Sequence, residues 1–258
     1  MFFYKTVQRL LFLLITGMLL AGNVLAQESN DRSATSVLHK NYPQERKWVS
    51  SQQFPWRAIG RINLAGYGHC TATLVAEDVV LTAAHCLWNQ RVGRWYPAKY
   101  LTFVAGVEKE SFQGIAKGVS MQIAPGYTFS KHNEMNKVKR DWALLKLNRP
   151  LGKELGYLPL LDGNGMFQGK LLVQAGYRGD RAFVLTVQTG CTVKALHESK
   201  RLLQSNCRTT GGDSGGPVLS EEKDGWYLVG LHSGRLDTDE SLAVTVENFR
   251  PQIVPWKW

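Results

Sequence analysis

Short apolar runs recur along most of the chain, each bounded by turn-forming residues. In the first half these include Ala58-Ile59-Gly60-Arg61-Ile62, Thr71-Ala72-Thr73-Leu74-Val75, Val79-Val80-Leu81 and Leu101-Thr102-Phe103-Val104. In the second half they include Leu171-Leu172-Val173, Val184-Leu185-Thr186-Val187, Trp226-Tyr227-Leu228-Val229-Gly230-Leu231 and Leu242-Ala243-Val244-Thr245-Val246. Runs this short, rich in β-branched and aromatic residues, predict strands. Helical periodicity is missing except for a short stretch near the C-terminus. Many short strands joined by glycine-rich turns predict an all-β chain folded as barrels or a sandwich. Residues 130–140 are polar and basic, and read as a loop leading to Asp141. Pro150, Gly152, Gly156, Pro159 and Gly163 cluster, so a boundary between two lobes is expected near residues 148–170.

The N-terminus follows a different pattern. Lys5 and Arg9 precede an apolar run from Leu10 to Leu20, which is followed by Val24-Leu25-Ala26. This reads as a secretory signal over residues 1–26, cleaved after Ala26. The competing reading is a retained anchor, but the run is short for a bilayer span of roughly 20 residues. Residues 27–36 read as a pro-segment and residues 37–258 as the working domain. The expected location is secreted or periplasmic, with no stable membrane insertion once the signal is gone.

Composition changes this picture little. The chain is 44% apolar and 20% charged, which is ordinary for a globular protein. Its net charge is +10, and loss of Lys5 and Arg9 would leave about +8. A basic surface suits acidic substrates or anionic envelopes, although a plain solvated surface accounts for it as well. No arginine-rich or aromatic-interleaved basic tract supports nucleic-acid binding. Four cysteines, Cys70, Cys86, Cys191 and Cys207, in an exported chain suggest two disulfides. Four cysteines allow three connectivities, and the spacing suggests Cys70–Cys86 and Cys191–Cys207. A zinc site would call for paired C-x2-C spacing, which is absent.

The candidate chemistry lies in three short segments. Gly212-Asp213-Ser214-Gly215-Gly216-Pro217 offers a serine on a glycine-rich turn. Leu81-Thr82-Ala83-Ala84-His85-Cys86 offers a histidine, and Arg140-Asp141-Trp142-Ala143-Leu144-Leu145 an aspartate. A serine hydroxyl is a weak nucleophile that needs a base, and the base needs an orienting group. His85 suits the base, because its ordinary pKa lies near neutrality. Asp141 would hold its tautomer and stabilise the imidazolium. The amides of Gly212 and Ser214 are the expected donors to a developing oxyanion. Each segment alone has an ordinary reading as a turn, a packed histidine or a strand cap. In α/β-hydrolases the serine comes first, and here only 44 residues follow Ser214, too few to complete that fold.

Together, Thr82-Ala83-Ala84-His85-Cys86, Asp141-Trp142-Ala143-Leu144-Leu145 and Gly212-Asp213-Ser214-Gly215-Gly216-Pro217 resemble the three active-site signatures of trypsin/chymotrypsin-type serine endopeptidases. The resemblance covers roughly residues 37–250. It implies two six-stranded antiparallel β-barrels with the active site in the cleft between them, a short C-terminal helix, and a disulfide Cys70–Cys86 bracing the histidine loop. It implies no metal and no organic cofactor. The implied partner is a protein or peptide substrate, and the expected state is a monomer.

Within the family the pattern is similar to the bacterial branch that includes glutamyl endopeptidases. That likeness implies a pocket for an acidic side chain built from Thr209, five residues before Ser214, and His232, with Ser233 beside it on the same strand. Trypsin-like pockets keep an acid six positions before the serine, where this chain has Arg208, so a pocket for Lys or Arg is disfavoured. Arg208 is a further candidate for contact with an acidic substrate. Asp213 resembles the aspartate that pairs with a freshly cut N-terminal ammonium in animal members. The expectation is therefore a zymogen, processed near Val37, whose new amine meets Asp213. The alternative function is a catalytically weak or inactive homologue that serves as a basic binding module.

Overall fold

The computed structural model describes residues 45–129, 135–162, 170–236 and 240–253, all within one unit spanning residues 42–258. The predicted signal, the pro-segment and Val37 lie outside the described residues. The first half contains β1 (Lys47–Trp48), β2 (Ile59–Leu64), β3 (His69–Ala76), β4 (Val79–Thr82), the short hairpin β5 (Trp88–Asn89) and β6 (Arg94–Trp95), β7 (Leu101–Ala105), β8 (Gly114–Ile123) and β9 (Ala143–Leu147). The second half contains β10 (Leu171–Gly176), β11 (Thr186–His197), β12 (Leu202–Ser205), β13 (Pro217–Glu222), β14 (Gly225–Arg235) and β15 (Ser241–Thr245).

These strands close two antiparallel barrels of six, as expected. The first runs β2-β3-β4-β9-β8-β7 and back to β2. The second runs β11-β10-β13-β14-β15-β12, and the β11–β12 ladder closes it. Closure removes exposed sheet edges. β1 lies outside both circuits and pairs with β11, matching Lys47 to Val187 and Trp48 to Thr186.

The apolar runs became strands because their side chains fill the barrels. In β4 all four residues are buried, and in β9 only Lys146 reaches partway out. Small residues permit close approaches elsewhere. A Cβ on Gly152 would lie 2.2 Å from the Ala76 carbonyl oxygen, so the helical turn α2 (Leu151–Leu155) can rest on the end of β3 only through a glycine.

The polar segment before Asp141 holds more order than its composition predicted. After residues 130–134, which lie outside the described set, Met135–Val138 forms a helical turn, α1. Its buried Val138 anchors it to the core, and the Val138 carbonyl accepts from the Asp141 amide at 2.9 Å. The short C-terminal helix is α3 (Arg250–Ile253), packed through Phe249 against Trp142. Both disulfides pair as the spacing suggested, Cys70 with Cys86 and Cys191 with Cys207. On the loop-entropy model each contributes about 3 kcal/mol.

Candidate active site

Register places the histidine and the aspartate together. β4 and β9 pair Thr82 with Ala143, so the residues just beyond them meet at the barrel rim. Beyond Thr82 the chain turns through a 3-10 segment, Ala84–Leu87, that carries His85, and two residues before Ala143 stands Asp141. The Asp141 carboxylate clasps His85 twice. Oδ1 accepts from the His85 amide at 2.8 Å, and Oδ2 lies 2.6 Å from the ring Nδ1. Nδ1 therefore carries a proton, and in the neutral ring Nε2 remains as the acceptor. The Cys70–Cys86 bridge ties the same turn to β3. Those two sulfurs and the His85 ring form the tight group of metal-ligating atom types among the described residues. Both sulfurs are spent in the disulfide, so the group offers no thiolate ligand.

Asp141 is buried, with 7% of its side chain exposed, whereas the His85 side chain is 28% exposed. Burial alone would push the carboxyl up. The His85 charge and the hydrogen bonds from His85 and Ser233 overcome it and hold Asp141 below its usual range. Burial alone would likewise pull His85 down, but the Asp141 charge and hydrogen bond prevail and leave the imidazole above its ordinary value. Tyr127, next to this carboxylate, is pushed up by burial and then by the Asp141 charge. Trp88 follows the histidine turn and joins Trp95, Tyr127 and Phe129 in an aromatic wall beside His85.

Ser233, a substrate-binding candidate, has a hydroxyl that donates to Asp141 Oδ2. The cause is a bulge. β14 pairs His232 with Ala243 and Gly234 with Leu242, which leaves Ser233 as an extra residue re-aimed toward the aspartate.

The serine turn is anchored to both barrels. The Ser214 carbonyl accepts from the Thr71 amide of β3 at 2.9 Å, and the Gly212 carbonyl accepts from the Thr71 hydroxyl at 2.8 Å. That hydroxyl in turn accepts from the Tyr177 amide at 2.9 Å. Thr71 thus pins a turn of the second barrel to a strand of the first. Sequence reading saw it only as a strand residue. Gly212 adopts φ +93°, and a Cβ there would lie 2.4 Å from the Tyr177 carbonyl oxygen. Among the described residues, no protein acceptor takes the amide of Gly212 or of Ser214, and the half-buried Ser214 hydroxyl makes no hydrogen bond to His85. Such bonds are often long without substrate and tighten in the reacting complex.

Gly215 brings the serine turn against the histidine turn. At φ +79° its missing Cβ would lie 2.2 Å from Thr82 Oγ1, 2.3 Å from the Thr71 carbonyl oxygen and 2.9 Å from the Ala83 amide nitrogen. Thr82 donates to that same Thr71 carbonyl at 2.8 Å, so neither neighbour is free to yield. Gly215→Ala should therefore cost about 3 kcal/mol, combining overpacking with left-handed strain. Urea unfolding should show a lower midpoint at unchanged slope.

The remaining candidates separate. Thr209 and His232 are both buried, His232 at 3% exposure. The His232 backbone bonds in both directions to the serine turn, its amide to the Gly216 carbonyl and its carbonyl to the Gly215 amide, each at 2.7 Å. Its ring Nδ1 is buried and has no hydrogen-bond partner among the described residues. Burial first, then the charges of Arg46 and His85, lower its pKa to about 3, so the ring is neutral. Arg208, the residue before Thr209, is exposed; its amide donates to Gln188 Oε1, and it lines a cleft of about 460 Å³ together with Glu45, Arg46, Arg178, Asp180 and Arg181.

Asp213, expected to meet an N-terminal ammonium after processing, is paired in the uncut chain with an arginine. Its side chain is fully buried, and Arg46 Nη2 lies 2.6 Å from its Oδ1. The Thr210 amide donates to the other oxygen at 3.0 Å. Nothing in the local sequence of Arg46 singled it out, because its partner stands 167 residues away.

Comparison with known proteins follows the same lines. A family model described as Trypsin matches residues 45–253. A glutamyl endopeptidase of Bacillus licheniformis is 27% identical over 174 residues, covering 67% of this chain and 52% of the relative. Serine protease 23 of Rattus norvegicus is 29% identical over 213 residues, covering 73% and 54%. A trypsin-like protease of Streptomyces glaucescens is 28% identical over 199 residues, covering 64% of each. The chain thus spans between about half and two thirds of the length of these relatives. A solved structure described as Glu endopeptidase in complex with MPD superposes with a TM-score of 0.68 at 21% identity, covering 82% of this chain and 98% of that one. At that identity the likeness shows the fold.

Proposed function

Because the chain belongs to the trypsin family, we propose that it is an exported serine endopeptidase in which Ser214, His85 and Asp141 act together. The observation that carries this reading is the double clasp of Asp141 on His85, together with a serine turn whose two candidate oxyanion amides have no acceptor among the described residues. Nε2 of His85 takes the Ser214 proton as Oγ attacks the scissile carbonyl. Asp141 stabilises the imidazolium, and the Gly212 and Ser214 amides receive the oxyanion. His85 then protonates the leaving amine. Water, activated by the same nitrogen, releases the acyl group and returns the proton to Ser214 Oγ.

The finer reading is a preference for an acidic residue before the cleaved bond, held by Thr209 and His232. The glutamyl endopeptidase relative supports it, as does the buried Nδ1 of His232, which has no partner among the described residues. A neutral ring can serve a substrate carboxylate as an N–H donor without a lone buried cation. Two disulfides fit export into an oxidising compartment. Among the described residues no helix is long and apolar enough to cross a membrane.

A digest of a random peptide library by the purified protein tests activity and preference together. Cleavage should concentrate after Glu or Asp. Uniform cleavage, or cleavage after Lys and Arg, would sink the acidic preference. His232→Gln should lower kcat/KM by about 10–100-fold on a Glu peptide, the value of a hydrogen bond to a charged group, and far less on a Leu peptide. Equal losses on both peptides would assign His232 to packing alone.

A further inference from the structure

The ion pair behind the serine turn is complete within the chain. β1 pairs with β11, and this pairing delivers Arg46, the residue before β1, to the floor of the turn. Its guanidinium is bonded at every nitrogen. Nε donates to Thr186 Oγ1 at 2.8 Å, Nη1 to the Arg208 carbonyl at 3.3 Å, and Nη2 to Asp213 Oδ1 and, at 3.3 Å, to the Thr186 carbonyl. The Arg46 side chain is 7% exposed and that of Asp213 0%. The strand behind the pair leaves room for it. A Cβ on Gly176 would lie 2.4 Å from Asp213 Oδ1 and 3.3 Å from Arg46 Nη2, and only the absent side chain admits both groups. Asp213 also fixes the turn directly. Its Oδ2 takes the Thr210 amide, and its carbonyl takes the Gly216 amide at 2.8 Å, so the residues flanking Ser214 hang on this one aspartate.

In animal members, as set out above, an ammonium freed by a cut performs this neutralisation. We infer that Arg46 is a positioning residue that holds the Ser214 turn in working shape from inside the uncut chain, so that activity does not wait for a new N-terminal amine. A planar fork with several donors suits a fixed, buried carboxylate. Removing one partner of a buried pair leaves a lone charge that the surroundings cannot solvate, so loss of Arg46 should disturb the turn first. The inference rests on the reading of Ser214 as the nucleophile.

The test compares chains beginning at residues 27, 37 and 42, each with a free and with an acetylated N-terminus, alongside an N-terminally extended form. All should label at Ser214 with a fluorophosphonate and hydrolyse a peptide within about twofold of one another. Arg46→Gln should lower kcat by about 100-fold, the scale of a broken buried pair, with a smaller effect on KM. It should weaken a peptide aldehyde inhibitor, whose oxyanion needs the same turn, by the same factor, and thermal unfolding should show the variant folded at the assay temperature. Arg46→Lys keeps the charge and should recover part of the loss, which keeps the test alive if Arg46→Gln fails to fold. Adding Asp213→Asn to Arg46→Gln should cause no further loss. Activity that arises only with a freed amine, vanishes on its acetylation and survives Arg46→Gln would overturn the inference and leave the protease reading intact. Failure of every form to label at Ser214 would overturn both.

Discussion

Ser214→Ala should abolish peptide hydrolysis, with a fall of about 10⁶ in kcat. The substitution removes a half-buried hydroxyl that makes no hydrogen bond to His85, so the fold should be untouched and the unfolding midpoint unchanged. The carbonyl of residue 214 keeps its bond from Thr71, and Gly215 keeps its place against Thr82. The variant should therefore still bind peptide and aldehyde-free substrate analogues while turning nothing over. Steady-state kinetics and fluorophosphonate labelling check this, and wild-type-like turnover in the variant would refute the nucleophile assignment. A basic binding module with a dormant site would show no such contrast between binding and turnover.

Asp141→Asn is expected to lower kcat by about 10⁴ while leaving the site assembled, because the amide can present an NH₂ to Nδ1 and hold the wrong tautomer. The pH profile gives a second readout with a definite sign. Burial pulls the His85 pKa down, yet the Asp141 charge and hydrogen bond carry it above the ordinary imidazole value. Catalysis requires the neutral ring, so the rate of the native protein should fall as pH drops through that raised pKa. The acid limb should thus lie above about 6.5, the unperturbed value. In Asp141→Asn the supporting charge is gone and burial acts alone, so the residual activity should have its acid limb at lower pH. A limb that stays put would mean that another group, such as Tyr127 or the Ser233 hydroxyl, sets the His85 environment.

The parts of this site that sequence disclosed are those with local signatures. The strand runs were legible because barrel interiors demand apolar residues at every pleat, and β4 and β9 carry almost nothing else. The segments bearing His85 and Ser214 were legible because each combines a reactive residue with small neighbours, and Asp141 because it heads an apolar strand. Gly215 is the clearest case, since its glycine answers to Thr71 on β3 and Thr82 on β4. What stayed hidden depended on partners distant in sequence. Arg46 is one arginine among many until β1 lies on β11. Ser233 was read as a pocket residue because strand alternation cannot foresee a bulge. Thr71 looked like any strand threonine, although its three bonds join the two barrels at the reactive turn. Arg208 stood at a familiar spacing from Ser214, but spacing does not say which side of the turn a long side chain leaves by.

The long reach between Arg46 and Asp213 also sets the order of events as the chain folds. A chain made from its N-terminus presents Arg46 early, while the carboxylate it must meet follows 167 residues later. The first barrel, with His85 and Asp141 already clasped, can close while the second is still unmade. Only when β11 through β15 have joined does Asp213 become buried, and only then does β1 have a docked neighbour for its arginine. Pairings this remote are slow to form. Until then the turn bearing Ser214 lacks the arginine that neutralises the aspartate beneath it.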